Sequence, residues 1–566
     1  MATTAVRPEG PLTHKQIVTI LIGLMMGMFL AALDQTIVAT AIRTIADDLK
    51  GLDQQAWATT AYLITSTIVT PLYGKLGDIY GRKKLFIFAI SIFVVGSVLC
   101  TLAQTMPQLA AYRAVQGIGA GGLFSLALAI IGDIVPPRER AKYQGYFLAV
   151  FGTSSVLGPV IGGFFAGQDQ ILGIDGWRWV FLVNVPIGIA ALAVVTKTLH
   201  LHHTRLDHRI DWWGAVALSV SLVPLLLVAE QGRQWGWGST SALICYGIGI
   251  IGAAAFFAVE RAMGEEALLP LALFRNRTVG VASGASVLIG IAMFGGLACL
   301  PLYLQIVKGA SPTEAGLLLL PMTLGIMSGS ISSGQIISRT GRYRTFPVVG
   351  SGLLAVALFV FHYVHEDTPL WQTMIVMFFF GIGLGFNFQP LTLAVQNAVP
   401  PQQIGVATSS ATFTRQIGGT LGTAVFLSIL FTTVPDKIAA ALEKIAPTPA
   451  FQEALRDPKN VEFAKQLQAQ KAGGGSGATG GVLKDSSFLN TLDARLAKPF
   501  LQGFSDSMDL VFLVGSAVMV VGFVVMLFLP NVELRSGSSY AQRGQDEAQA
   551  RSEAAEAAAA PPAIGH

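Results

Sequence analysis

The chain has 566 residues, 52% of them hydrophobic and only 12% charged, with 37 Lys or Arg against 33 Asp or Glu and a net charge of +4. Soluble domains carry about 25% charged residues, and the mean hydropathy here is +0.59. Water is therefore not the solvent for most of this surface. The composition excludes most cytosolic enzymes and nucleic-acid binders and points to a polytopic membrane protein.

A helix needs about 20 mostly apolar residues to cross roughly 30 Å of hydrocarbon. In chain order, runs that meet this cover 16–42, 56–74, 85–104, 107–132, 145–166, 179–196, 212–229, 241–259, 279–304, 315–337, 346–364, 369–397, 404–432 and 510–530. Fourteen spans in an all-α fold are predicted. Barrel strands of about 10 residues with alternating polarity do not fit. The first run is too long for a secretory signal and continues past Asp34, so it reads as an uncleaved span. Cys100, Cys245 and Cys299 all lie in apolar runs, which argues against a disulfide framework.

Basic residues set the orientation. Short loops after even-numbered spans hold sixteen, including Lys75, Arg82, Lys83, Lys84, Arg138, Arg140 and Lys142, whereas loops after odd-numbered spans hold five. This bias predicts that both termini are cytoplasmic. Residues 433–505 then face the exterior and include the flexible stretch AGGGSGATGG, flanked by the helical patterns DKIAAALEKI and EFAKQLQAQ. The polar, Ala- and Glu-rich tail after Pro530 is expected to be disordered.

An internal repeat divides the chain. Gly74-Lys-Leu-Gly-Asp-Ile-Tyr-Gly81-Arg82 returns 260 residues later as Gly334-Gln-Ile-Ile-Ser-Arg-Thr-Gly341-Arg342. At an offset of 264, Gly117, Gly119 and Gly121 meet Gly381, Gly383 and Gly385, and Gly158 meets Gly422. Two six-helix bundles with two inserted spans follow from this. The predicted organisation is a cytoplasmic tail (1–15), an amino-terminal bundle (16–198), a linker with two extra helices (199–278), a carboxyl-terminal bundle with the exterior loop (279–530) and a disordered tail (531–566). The first half keeps the ionisable chemistry and the second mainly the shape, since Asp78, Arg113 and Asp133 correspond to Ser338, Met377 and Asn397.

Charges inside a span are costly and mark functional positions. Asp34 and Arg113 lie at similar depth, about 12 and 9 Å from the outer ends of their spans at 1.5 Å per residue. A buried carboxylate is neutral alone but ionised beside a cation, so Asp34 is expected to carry a transported proton whose release Arg113 controls; a static ion pair joining two helices is the alternative. Gly74 and Gly81 suit a tight turn and close helix approach. Asp78 suits the positive end of a nearby helix, and Arg82 is placed to pair with Asp133. Gly152, Gly158, Gly162 and Gly163, with Pro159, give span 5 a surface for close packing. Arg415 lies near mid-membrane in span 13, and Asn387 and Gln389 in span 12 are further candidates for the cavity, or for helix-to-helix contacts. The cluster His200, His202, His203 and His208 sits beside Arg205 and Arg209 without ligand spacing, so no metal site is expected. Asp211 reads as a helix N-cap.

The motifs Leu33-Asp34-Gln35-Thr36-Ile37-Val38, Gly74 to Lys84, Arg113-Ala-Val-Gln-Gly117-Ile-Gly119 and Gly152 through Leu157-Gly158-Pro159-Val-Ile-Gly162-Gly163 stand in order at the right spans. Together they resemble the major facilitator superfamily, in particular its fourteen-helix branch of drug:proton antiporters. The resemblance covers about residues 15–530 outside the exterior loop. It implies proton coupling at Asp34 and Arg113. It also implies a latch for the outward-open state at Gly74, Asp78, Gly81, Arg82 and Asp133, and an exporter's fifth-helix motif. The expected activity is proton-driven export of lipophilic drugs across the cytoplasmic membrane by alternating access, by a monomer, with small lipophilic substrates, protons and lipids as partners. No cofactor and no nucleic acid are expected, and the absence of a GxxxxGK[ST] loop gives no support for ATP drive. Export of an endogenous lipid or secondary metabolite, or a membrane receptor or assembly factor, are the competing functions. With one acidic residue deep in a span, monocations and neutral amphiphiles are better supported as substrates than doubly charged cations.

Overall fold

The computed structural model describes residues 14–50, 55–199, 210–457, 460 and 492–534. The tails, the histidine cluster, the glycine-rich stretch and EFAKQLQAQ lie outside the described residues. Helices α1 (His14–Asp48), α2 (Gln55–Tyr80), α3 (Arg82–Thr101), α4 (Met106–Ile134), α5 (Pro137–Ala166) and α6 (Asn184–Thr198) come first. Then follow α7 (Trp212–Trp235) and α8 (Thr240–Met263). The remainder is α9 (Arg277–Leu302), α10 (Leu320–Thr340), α11 (Thr345–Phe361), α12 (Leu370–Asn397), α13 (Ile404–Ile445) and α14 (Ala494–Leu527), with short helical turns between. Eleven helical stretches are long and apolar enough to cross a membrane, beside two shorter apolar ones in α5 and α11. With the 26-residue α2, which carries the polar residues Thr65, Ser66, Thr67 and Thr70, these give fourteen helical segments among the described residues.

Close helix approach is written in the glycines, and the repeat reappears in what they touch. A Cβ on Gly117 of α4 would meet the Tyr62 carbonyl of α2 at 2.5 Å, and one on Gly121 the Ser66 carbonyl at 2.4 Å. In the second half Gly381 of α12 faces the Met322 carbonyl of α10 at 2.1 Å, and Gly385 the Ile326 carbonyl at 2.5 Å. The partners Tyr62 and Ser66 are offset from Met322 and Ile326 by the same 260 residues that relate the sequence repeats. Gly158 on Thr36 of α1 and Gly422 on the Ile291 carbonyl of α9 repeat the relation for another helix pair. Backbones this near exclude any side chain between them.

The buried apolar residues fall into separate cores. Those of α1 to α6 form two clusters, and those from Leu273 to Leu534 form another. A fourth joins Leu218, Leu222 and Leu226 of α7 and Phe256 of α8 to Ile64 and Ile68 of α2 and Phe413 of α13. The inserted pair thus leans on one helix from each half. Ile244, Ile248, Ile250, Ile251 and Phe257 on α8 are exposed, as expected of a helix facing hydrocarbon. Asp211 caps α7, accepting from the Gly214 N–H at 2.6 Å. At 42 residues α13 is about 63 Å long, twice the hydrocarbon thickness. It therefore continues past the predicted span into residues expected to form a loop.

Substituting Gly381→Ala forces the Met322 carbonyl aside and should lower stability by about 1–3 kcal/mol, whereas Gly284→Ala, whose Cβ would meet nothing within 4 Å, should be neutral. Thermal melting of the detergent-solubilised variants checks this; equal melting temperatures would contradict the contact geometry.

Candidate functional site

Asp34 stands in the middle of α1, after the apolar run from Phe29 to Leu33 and before Gln35, and its side chain is turned into the first bundle, fully buried. One carboxylate oxygen accepts from Arg113 Nη1 of α4 at 2.5 Å. The other accepts from Gln116 Nε2 at 2.8 Å and from Asn184 Nδ2, at the start of α6, at 2.8 Å. Gln116 also accepts from Arg113 and donates to Ser97 Oγ of α3 at 2.7 Å. Arg113 is 1% exposed, donates through Nε to the Ala58 carbonyl, and lies 4.1 Å from the centre of the Tyr62 ring. Five helices thus hold one buried ion pair. Removing either partner leaves an uncompensated charge, at a cost of about 3–5 kcal/mol. Sequence reasoning singled out the two ions; Gln116, Asn184, Ser97 and Tyr62 were missed, because neutral polar side chains in apolar runs carry no distinguishing pattern.

At the end of α2 the conserved shape of the repeat acquires charge. Residues 74–80 are helical, not the loop expected from sequence, so Gly74 is no turn residue. Its role is approach, since a Cβ there would meet Ser409 Oγ of α13 at 2.0 Å. Gly81 does make the turn, with φ of +95°. Asp78 accepts from Arg82 Nη2 at 2.6 Å and from the Val406 N–H at 3.0 Å, at the positive N-terminal end of α13. Arg82 also pairs with Asp133 of α4 and donates to the Ala129 carbonyl. A second buried cation, Arg140, seen in sequence only as part of the basic bias, donates to the Val135 and Gly132 carbonyls and to Gln396 Oε1 of α12. Gln396 in turn donates to the Leu128 carbonyl of α4 at 3.1 Å. The two halves are therefore stitched together on the face that carries these basic residues.

The span 5 glycines divide. A Cβ on Gly152 would meet Thr323 of α10 in the other half, while Gly158 and Gly162 abut Thr36 and Ile37 of α1. Pro159 lies near Gly316, also in the second half. Gly163 is exposed and sits at neither contact.

Between the halves lies a cavity continuous with solvent, lined from both sides by Gln35, Ser66, Phe124, Phe151, Phe388 and Arg415 among others. Gln35 follows Asp34 directly, so the ion pair is one residue from the cavity wall. Gln389 lines this space but Asn387 does not, which corrects the expectation for that residue. Asn387 donates to the Gly383 carbonyl of its own helix at 2.8 Å and packs on Gly350 of α11. Arg415 sits 3.9 Å from the centre of the Phe388 ring.

A solved proton:xylose symporter, XylE, overlays this fold with a TM-score of 0.57 at 13% identity, covering 94% of this chain and 99% of the symporter. The family model of the Major Facilitator Superfamily matches residues 24–423. The chain belongs to the Major Facilitator Superfamily. Within the superfamily it is 34% identical to Multidrug resistance protein 3 of Bacillus subtilis over 93% of this chain and 98% of that protein. It is 38% identical to a Tetracycline resistance determinant of Streptomyces rimosus over 57% of this chain and 92% of that protein. As a superfamily transporter it is a multi-pass membrane protein.

Replacing Gln116 with Met keeps the length of the side chain but withdraws one donor from the Asp34 carboxylate. Gln116 also accepts from Arg113, so both ions lose a partner and the variant should be less stable by about 1–3 kcal/mol. Thermal melting of the detergent-solubilised variant checks this; an unchanged melting temperature would show that Gln116 does not help to hold the pair.

Proposed function

We propose that the protein exports lipophilic small molecules across the cytoplasmic membrane in exchange for protons, by alternating access. The observation that carries this reading is the fully buried Asp34 carboxylate, held by Arg113, Gln116 and Asn184 one residue from the wall of the inter-half cavity. Proton uptake at Asp34 removes its attraction for Arg113 and leaves that cation seeking other acceptors, so the helices carrying the two residues settle into a different packing. The apolar, aromatic cavity wall suits lipophilic compounds. The names of the Bacillus and Streptomyces relatives, which refer to drug and tetracycline resistance, support the same substrate class.

The basic face is assigned to the cytoplasm by its positive bias, which places both termini there. In this state that face is closed by the Asp78, Arg82, Asp133 and Arg140 contacts, with Gly74 and Gly81 permitting the approach; breaking them opens the cavity inward. Gly152, against Thr323, and Pro159, near Gly316, give the rocking halves a small-residue contact. One chain supplies every group this cycle uses, so the monomer is the functional unit, driven by the proton gradient without a cofactor.

Two substitutions separate the parts of this reading. In proteoliposomes with an imposed pH gradient, Asp34→Asn should lose gradient-driven accumulation of lipophilic dyes, down to the level of protein-free vesicles, while still binding them. Arg82→Ala should also stop transport with binding intact, because it removes the closed state and not the cavity. Gradient-driven export that survives Asp34→Asn would overturn the coupling role.

A further inference from the structure

The cavity has an unbalanced charge. Among the described residues that line it, Arg415 is the only one with a formal charge, and no carboxylate shares the space. Arg415 is 6% exposed, yet it forms no ion pair and donates no hydrogen bond among the described residues; its one close partner is the face of Phe388. Its backbone is fixed by close approach to α9, where a Cβ on Gly290 would meet the Arg415 carbonyl at 2.3 Å. The next residue, Gln416, accepts from Thr70 Oγ1 of α2 at 3.2 Å, so the segment is tied down on both sides. A second group on the same wall is also without a partner: Gln389 is 2% exposed, and both its amide oxygen and its amide nitrogen are unsatisfied.

A buried guanidinium without acceptors and a buried carboxamide without partners are each costly. In a cavity otherwise walled by apolar and aromatic side chains, both costs are offset by one kind of occupant. We infer that Arg415 and Gln389 form an anion-binding site in the cavity that selects aromatic amphiphiles carrying an oxyanion, such as a sulfonate, carboxylate or enolate. The guanidinium fork receives the anionic oxygens, the Gln389 amide takes a neighbouring donor or acceptor, and the aromatic body of the ligand packs on the apolar wall. Cations are disfavoured twice. They meet Arg415 as a like charge, and the Phe388 face that would otherwise hold a cation is already covered by the guanidinium. This reverses the preference for monocations and neutral amphiphiles expected from the sequence, where Asp34 was counted toward the cavity; the structure occupies Asp34 with Arg113 and places only its neighbour Gln35 on the wall.

The inference rests on reading this cavity as the transport site, but its test does not require transport. The purified protein in lipid nanodiscs is titrated with 8-anilino-1-naphthalenesulfonate and with N-phenyl-1-naphthylamine, which share a framework and differ by the sulfonate. Binding is taken as the signal above empty discs, and tetraphenylphosphonium serves as the cationic competitor. The sulfonate should bind roughly tenfold or more tightly than the neutral probe, the size expected of one charge-assisted hydrogen bond. Arg415→Gln should abolish that preference, Arg415→Lys should keep part of it, and Gln389→Leu should weaken the sulfonate several-fold while leaving the neutral probe unchanged. Should Arg415→Gln fail to fold, the Lys and Gln389 variants decide the matter alone. Equal binding of the two probes by the wild type, an unaltered preference in the folded variants, or displacement of the sulfonate by tetraphenylphosphonium at lower concentration than by the sulfonate itself would overturn the assignment. An Arg415-dependent preference without gradient-driven export of any probe would instead overturn the transport reading and leave the site standing.

Discussion

One buried ion pair constrains the rest of this molecule. Asp34 and Arg113 are almost wholly removed from solvent, and each charge would cost several kcal/mol if left alone there. The first bundle is arranged to prevent that. α3 supplies Ser97, α4 supplies Gln116, α6 supplies Asn184, and α2 supplies the Ala58 carbonyl and the Tyr62 ring. The second bundle uses the same backbone frame without the charges. Met377, which corresponds to Arg113, is fully buried; Ser338, which corresponds to Asp78, bonds only its own helix, and Asn397, which corresponds to Asp133, donates to the Glu533 carbonyl. A proton exchanged at Asp34, as proposed, would therefore change the electrostatics of the first half and leave the second without a matching charge.

That asymmetry matters because the two kinds of interface differ. Within each half, glycines bring backbones so close that no side chain can intervene, and such contacts do not slide. Between the halves, contact on the basic face depends on hydrogen bonds that Asp78 accepts and that Arg140 and Gln396 donate, which water could replace if the face opened. Rigid bodies joined by exchangeable polar contacts are what alternating access requires.

Much of this was legible in the sequence, for physical reasons. Span number follows from the length of apolar runs, and the ion pair from the cost of charge in hydrocarbon. The repeat was visible because glycines at helix crossings admit no substitute, so Gly117 and Gly121 kept their counterparts Gly381 and Gly385. Other features were hidden. Gln116 and Asn184 are 82 and 150 residues from Asp34, and only the folded bundle brings them to it. Arg140 looks like any loop cation until its burial is known. Asn387 and Gln389 are two residues apart, which turns them by about 200° around a helix with 3.6 residues per turn; one faces α11 and the other the cavity, and sequence does not fix the rotation. The isolation of Arg415 is a property of its surroundings and could be read only there.

In the proposed cycle the protonation state of Asp34 decides whether the basic face is closed. That dependence is tested most directly by a distance across that face. Spin labels at Glu139 and Gln402, both exposed and on opposite halves, would be placed in a protein with Cys100, Cys245 and Cys299 replaced by Ala. Pulsed electron spin resonance in nanodiscs then reads the distance as pH is varied. The wild type should shift between short and long distances with pH, and Asp34→Asn should hold a single distribution at every pH. A variant that kept the wild-type pH response would contradict that role for Asp34.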